Sequence, residues 1–168
     1  YSIAAAYGTP LYISDPCISS GTSDAYGIQG IAIGAGSGGL RGVIVGLFDS
    51  GNTTGTPGGN TSGYSSNPSL VYRPASHANV WYALVVDDPN VVFVIQEESN
   101  GTALAAADIG LNQITLLAAG NGFTSGWLLR STTGATPNTT ATLQVKLLGL
   151  LQVRDPRGDR RALHGTQP

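Results

Sequence analysis

An all-β fold, a single-domain sandwich or barrel, is what this sequence predicts, and three observations carry the prediction. Short runs rich in Val, Ile, Leu, Tyr and Trp recur along the chain, most of them bounded by Gly, Pro, Asn or Asp, which is the signature of strands and turns. Helical signal is confined to one Ala-rich stretch. Hydrophobic residues make up 41% of the 168 while charged residues make up only 11%, which is enough apolar material for a core and too little charge for a disordered chain.

The elements follow in order. "TPLYISD" (9–15) sets Leu11 and Ile13 on one face and Tyr12 and Ser14 on the other. "YGIQGIAIG" (26–34) and the β-branched "RGVIVGLFD" (41–49) read as strands, the latter ending in a turn signal. "VWYALVVDD" (80–88) and "VVFVIQEE" (91–98) come next, then "QITLLAAG" (113–120), "GWLLRSTT" (126–133) and "TLQVKLLGLLQVRD" (142–155). In the last of these Leu143, Val145 and Leu147 share a face, and Gly149 suggests a bulge or bend. "TALAAADIG" (102–110) offers a Thr cap, an Ala run and Gly110 as a stop, which allows one short helical turn.

Two stretches read as something other than strand. Residues 49–69 hold almost no apolar side chain and form a long Gly/Asn/Thr/Ser loop, the kind that serves as a lid or an interaction arm. Residues 154–168 form an Arg-rich, extended C-terminal arm beside the β-rich domain of residues 1–153. Charge follows the same division. Residues 1–153 carry four basic and eight acidic side chains, so the body has no nucleic-acid footprint. The arm sets Arg154, Arg157, Arg160 and Arg161 against Asp155 and Asp159 and is the part that could bind an acidic partner. No apolar run is long enough to cross a membrane as a helix.

Chemistry-bearing motifs are few, and each has a plainer reading. In Asp87-Asp88-Pro89-Asn90, Pro89 presets a turn and Asp88 can bond the backbone ahead of it, so the acidic pair reads as a corner between two strands. Neighbouring carboxylates on a strand would point to opposite faces and could not flank one bond; Glu97 and Asp108 are the other acids that could act at a distance. Gly34-x-Gly36-x-x-Gly39 has the spacing of a dinucleotide fingerprint, but the fingerprint needs a helix and a strand follows instead, so a Gly-rich hairpin loop is expected and no cofactor. Of the two histidines only His77 lies in the body, His164 being in the arm, and no His/Cys cluster has zinc spacing. Cys17, the single cysteine, reads as a small buried hydrophobe. Arg157-Gly158-Asp159 matches a cell-adhesion tripeptide, which chance readily produces. The sequons at Asn52, Asn60, Asn100 and Asn138 are ordinary in an Asn/Thr-rich chain.

Three segments, "YSIAAAYGTPLYISDPC" (1–17), "YALVVDDPNVVFVIQ" (82–96) and "TLQVKLLGLLQV" (142–153), together resemble the head decoration, or cement, proteins of tailed bacteriophages. The matching positions are the Tyr1, Ile3, Ala4, Tyr7, Thr9, Tyr12, Asp15, Pro16 run, Gly42-Val43-Ile44-Val45-Gly46, and Val86, Asp87, Asp88, Pro89, Phe93, Ile95 and Gln96. Ser14 departs from the pattern, where Gly often precedes Asp-Pro, and residues 49–69 and the Arg-rich ending match nothing in it. The resemblance implies a β-rich, non-enzymatic structural protein on the outer surface of a virion. It would bind the major capsid protein as a homo-oligomer, a dimer or trimer, and stabilise the shell across capsomer joints.

The rival reading is a carbohydrate- or surface-binding β-sandwich module. Trp81, Trp127, Tyr64, Tyr72 and Tyr82 could stack on sugars, although both tryptophans sit beside apolar runs and read equally as core.

Overall fold

The computed structural model describes residues 1–34, 38–51, 70–99, 102–117, 124–131 and 136–151, and the backbone of 153–154 and 160–161. The chain is all-β. Thirteen strands are described: β1 (Ser2–Ile3), β2 (Leu11–Tyr12), β3 (Pro16–Ser23), β4 (Gln29–Ile33), β5 (Gly42–Asp49), β6 (Tyr72–Arg73), β7 (Trp81–Val86), β8 (Asn112–Gln113), β9 (Thr115–Leu116), β10 (Leu128–Leu129), β11 (Val145–Lys146), β12 (Val153–Arg154) and β13 (Arg160–Arg161). The chain forms two compact units. One comprises Tyr1–Gly34, Leu40–Asp87 and Ala119–Gly126; the other comprises Ala35–Gly39, Asp88–Ala118 and Trp127–Pro168.

The first unit is a closed barrel in the order β1-β4-β3-β5-β7. The seam between β1 and β4 is parallel and the other pairings are antiparallel. Closure removes the free strand edges that a sheet would otherwise have to protect. Strand β7 shows the plain two-residue alternation, with Trp81 and Ala83 inward and Leu84 outward. Strand β5 buries Ile44 and Leu47, three positions apart, because a bulge between Ile44 and Gly46 inserts Val45 and shifts the inward face by one residue. The core joins Ile3, Leu11, Cys17, Ile31, Ile44, Leu47, Trp81 and Ala83. Each fully buried Ile or Leu among them contributes about 1.5–3 kcal/mol. Gly42 is required where β5 crosses β7, since a Cβ there would stand 2.4 Å from the Val86 carbonyl oxygen.

The tight turn between β2 and β3 is bonded on every side. Asp15 N–H donates to Tyr12 O (3.1 Å), the Asp15 carboxylate accepts Tyr12 N–H (2.8 Å), and Ser14 N–H donates to Ile44 O (2.8 Å). Closing it places Ser14 at φ 75°, the left-handed region that favours glycine.

The second unit has shorter ladders, β8 with β11, β9 with β10 and β12 with β13, and isolated bridges at Glu97–Leu129 and Asn112–Asn138. Side chains complete the bonding that longer strands would supply. Gln144 Oε1 accepts both the backbone N–H (3.0 Å) and the hydroxyl (2.6 Å) of Thr115, and Glu98 Oε1 accepts Ser131 N–H (2.6 Å). Leu104, Trp127, Leu129, Val145 and Leu147 are the buried apolar residues among those described in it.

Several expected elements differ. Of residues 9–15 only Leu11–Tyr12 is a strand, because the turn at Ser14 ends the run; "PCISSGTS", polar in its second half, is a full strand. Residues 91–98 form no strand of the sheets: Val92, Gln96 and Glu97 sit in isolated bridges, so the 87–90 corner does not close a hairpin. The run 142–155 pairs only at Val145–Lys146 and Val153–Arg154. The helical turn is a 3-10 turn at Ala106–Asp108, capped by Asp108 at Ala105 N–H (2.7 Å) rather than by Thr102. Residues 52–69 of the expected long loop lie outside the described residues. Within the expected arm, β12 and β13 pair, setting Val153 opposite Arg161 and Arg154 opposite Arg160.

Candidate functional site

The acidic corner separates into two different carboxylates. Asp88 is a turn residue: its Oδ1 accepts Asn90 N–H (2.8 Å) and Asn90 Nδ2 (2.9 Å), and its carbonyl accepts Val91 N–H (3.1 Å). Asp87 instead ends β7 beside the first residue of the chain. The Tyr1 hydroxyl donates to its carboxylate, and Arg41 bridges the two, with Nε on the Tyr1 oxygen (2.7 Å) and Nη2 on Asp87 Oδ2 (3.1 Å). The guanidinium also lies 5.3 Å from the Tyr1 ring centroid. The Tyr1 hydrogen bond and then the Arg41 charge hold the Asp87 carboxyl below the usual carboxylate range. Burial and then the bond to Asp87 push the Tyr1 phenol up. The cluster thus fastens the first residue to the end of β7 and to the start of β5.

Glu97 and Asp108 are spent locally. Glu97 Oε1 accepts Leu104 N–H (2.8 Å), and Asp108 caps the 3-10 turn.

His77 is engaged through Nδ1 with its neighbours. Its Nδ1 accepts both Asn79 N–H (3.1 Å) and the Trp81 indole N–H (3.1 Å). Those two donors assign the ring proton to Nε2, which faces Asp49 Oδ2 at 4.0 Å. A triad needs one imidazole nitrogen open to a nucleophile, and this one is a fastener for Trp81. Cys17 is wholly buried, and burial pushes its thiol up to about 12.

The glycine-rich segment connects β4 to β5, and β5 takes the place where a nucleotide fold would open a helix. The two strands are not neighbours, since both pair with β3. They therefore form no hairpin with each other, contrary to expectation, and residues 35–37, Gly36 among them, lie outside the described residues. Trp81 and Trp127 are buried and unavailable for stacking on a ligand. Tyr72 stacks on Tyr12 (5.8 Å between centroids), and the Tyr82 hydroxyl donates to Asp24 (2.9 Å). Tyr64, Arg157 and His164 lie outside the described residues, and Arg154, Arg160 and Arg161 are placed by backbone register alone. No group of three His, Cys, Asp or Glu side chains among the described residues could hold a metal ion.

What the sequence reading passes over is a groove of about 450 Å³ in the barrel unit. It runs along β4, with the residues after β1 on one side and the end of β3 on the other. One wall is Ala4, Ala5 and Tyr7, fixed from behind by Arg73. The Arg73 side chain is fully buried and donates to four carbonyls, those of Ala4 (2.8 Å), Ala5 (2.8 Å), Tyr7 (3.0 Å) and Pro74 (2.9 Å). Burial lowers its pKa, and the carbonyls stand in for a carboxylate partner. The other wall includes Ser20, Thr22 and Asp24. Asp24 Oδ1 accepts Tyr26 N–H (2.9 Å) and Ile28 N–H (2.8 Å), which sets the shape of the β3–β4 turn. Only an Arg-Pro dipeptide before a polar stretch hinted at Arg73, and nothing local hinted that three of its four partners lie more than 60 positions away.

Comparison with protein-family models, with curated proteins and with solved structures finds no match to this chain.

Proposed function

We propose that this chain is a non-enzymatic decoration protein that binds the outer surface of a phage head and stabilises the shell across capsomer joints. One observation carries the reading: the positions through which the sequence resembles that family are used for framework. Tyr1 and Asp87, from two of the matching runs, bind each other. Ile3 is core, the Tyr7 hydroxyl accepts Ile33 N–H (2.8 Å), Asp15 ties the β2–β3 turn, and Gly42 allows β5 to cross β7. An enzyme's recognisable positions would instead converge on a site. A cement protein needs a rigid body and a large, weakly charged contact surface, which lowers the cost of desolvation at an interface.

The contact surface has suitable material. On the outer barrel wall Val45 and Leu84 are 49% and 56% exposed on adjacent strands, and in the second unit Val92 and Val94 are 61% and 62% exposed. Contacts of this kind to the major capsid protein, repeated around a dimer or trimer and over a whole shell, give avidity from weak single sites. Arg154, Arg157, Arg160 and Arg161 supply the part of the contact that seeks carboxylates.

The test is reconstitution. Purified chain is added to emptied phage heads, and cryo-electron microscopy measures occupancy. Fixed, high-copy density at one class of symmetry axis is expected. Absence of density at every salt concentration overturns the reading.

A further inference from the structure

We propose that the groove along β4 is a binding site for a neutral sugar of one or two rings. The proposal does not rest on the capsid reading, and it uses none of the tryptophans that first suggested sugar binding.

The chemistry of the walls selects the ligand class. Ser20 and Thr22 present exposed hydroxyls on one side that hydrogen-bond each other (2.8 Å), leaving one proton and the remaining lone pairs for a ligand. Both side chains reach over Gly30: a Cβ at that position would stand 2.4 Å from Ser20 Oγ and 3.0 Å from Thr22 Oγ1. A bulge between Ser19 and Ser23, with Gly21 at φ 76°, sets this end of β3. Bulges commonly re-aim side chains in this way beside binding sites. Opposite, Ala4 and Ala5 offer methyl groups and Tyr7 an amphipathic ring. The Tyr7 hydroxyl accepts Ile33 N–H and keeps its own proton free to donate. Hydroxyl donors and acceptors facing a methyl and aromatic wall match a pyranose, which has hydroxyls at its rim and C–H patches on its faces.

Charge narrows the class further. Asp24 is the lining's one carboxylate, and no basic side chain lines the groove. The carboxylate is already taken by two backbone N–H groups and the Tyr82 hydroxyl. Arg73 stands behind the opposite wall and spends its donors on backbone carbonyls, so an anionic ligand would meet the Asp24 carboxylate with no basic side chain in the lining to pair with, and a neutral ligand is favoured. A volume of about 450 Å³ lies in the range of small-ligand pockets. Both walls are fixed in advance, one by the Arg73 bonds and the other by the Asp24 bonds, so ordering costs on binding are small.

The experiment is an NMR titration of the whole chain with lactose, cellobiose and di-N-acetylchitobiose, with N-acetylneuraminic acid as the anionic control. Saturable shifts of the Ala4, Ala5, Thr22 and Gly30 amides with at least one neutral disaccharide are expected. The exposed double variant Ser20→Ala/Thr22→Val should keep the parent melting temperature and weaken that sugar about tenfold or more, as loss of the hydroxyl wall requires. No saturable shift with any neutral probe overturns the proposal. So does unchanged affinity in the folded double variant, or equal binding of N-acetylneuraminic acid.

Discussion

The Tyr1 hydroxyl donates to the Asp87 carboxylate across 86 positions of sequence, and Arg41 holds both. The cluster lies where β1 meets β7 and at the start of β5, so one exposed triad reports on three strands of the barrel. The Asp87 carboxyl is depressed first by the Tyr1 bond. A carboxyl whose folded-state pKa is depressed contributes stability that is present above its unfolded value and is lost as pH falls through the folded value. Tyr1→Phe should therefore raise the Asp87 titration midpoint, read by carboxyl carbon NMR. It should lower stability at neutral pH and leave stability unchanged once Asp87 is protonated in both states. An unmoved Asp87 midpoint would mean that the bond does not form in solution.

Ser14 carries the left-handed turn between β2 and β3 at φ 75°, the position where the resembled family often has glycine. An L-residue there costs about 1–2 kcal/mol in local strain, against which glycine loses about 0.5–1 kcal/mol of chain entropy. Ser14→Gly should accordingly stabilise the protein by roughly 0.5 kcal/mol, seen as a higher urea midpoint with unchanged slope. A lower midpoint would show that the Ser14 side chain contributes more than its strain costs.

The barrel was legible in the sequence wherever hydrophobic period and strand coincided. Residues 29–33, 42–49 and 81–86 lie within the runs that periodicity marked, and one helical turn was foreseen. The failures share a cause. The β3 strand is polar beyond Ile18 because its far half is exposed, with Ser19–Ser23 open to solvent, so no apolar pattern announced it. Val91–Ile95 has strong strand composition, yet pairing is a tertiary matter that composition cannot decide. Cys17 is core as expected, and of the two readings open for Trp81 and Trp127, core or sugar stacking, both residues are buried. The groove and its Arg73 support were invisible because they join residues 2–7, 20–25 and 73, which only barrel closure brings together.

Arg73 offers a sharper test of that long-range joining. Replacing it with methionine keeps an unbranched side chain as far as the position of Nε and removes the donors to Ala4, Ala5, Tyr7 and Pro74. Carbonyls left without donors make the loss about 3 kcal/mol in urea unfolding. Arg73→Lys should recover only part, since an ammonium cannot fork between two pairs of carbonyls. A loss below about 0.5 kcal/mol for Arg73→Met would show that water replaces the guanidinium at little cost.

Cys17 makes a prediction at alkaline pH. Burial raises its thiol to about 12, whereas an unfolded chain ionises near 8.5. Below about 8.5 both states keep the proton; above it only the unfolded state releases it, so stability falls by up to about 1.4 kcal/mol per pH unit. Cys17→Ala should flatten the decline measured between about pH 8.5 and 9.5, although it also leaves a small cavity. The native thiol should resist alkylation until the protein unfolds. Rapid alkylation of folded protein would contradict its burial.

The basic ending tests the proposed attachment to a shell. Backbone pairing sets Arg154 opposite Arg160 and Val153 opposite Arg161, so two arginines occupy directly facing positions in one short ladder. In the proposed attachment each exposed pair with a capsid carboxylate would contribute little alone, and together such pairs would make attachment fall with salt. Arg160→Ala with Arg161→Ala should leave the melting temperature of the free chain unchanged. It should lower occupancy on emptied heads and flatten the dependence of occupancy on salt. Deleting residues 154–168 should do the same more strongly. If the double variant fills the heads as completely as the parent at every ionic strength, the arginines have no part in attachment and the exposed valines and Leu84 must account for it.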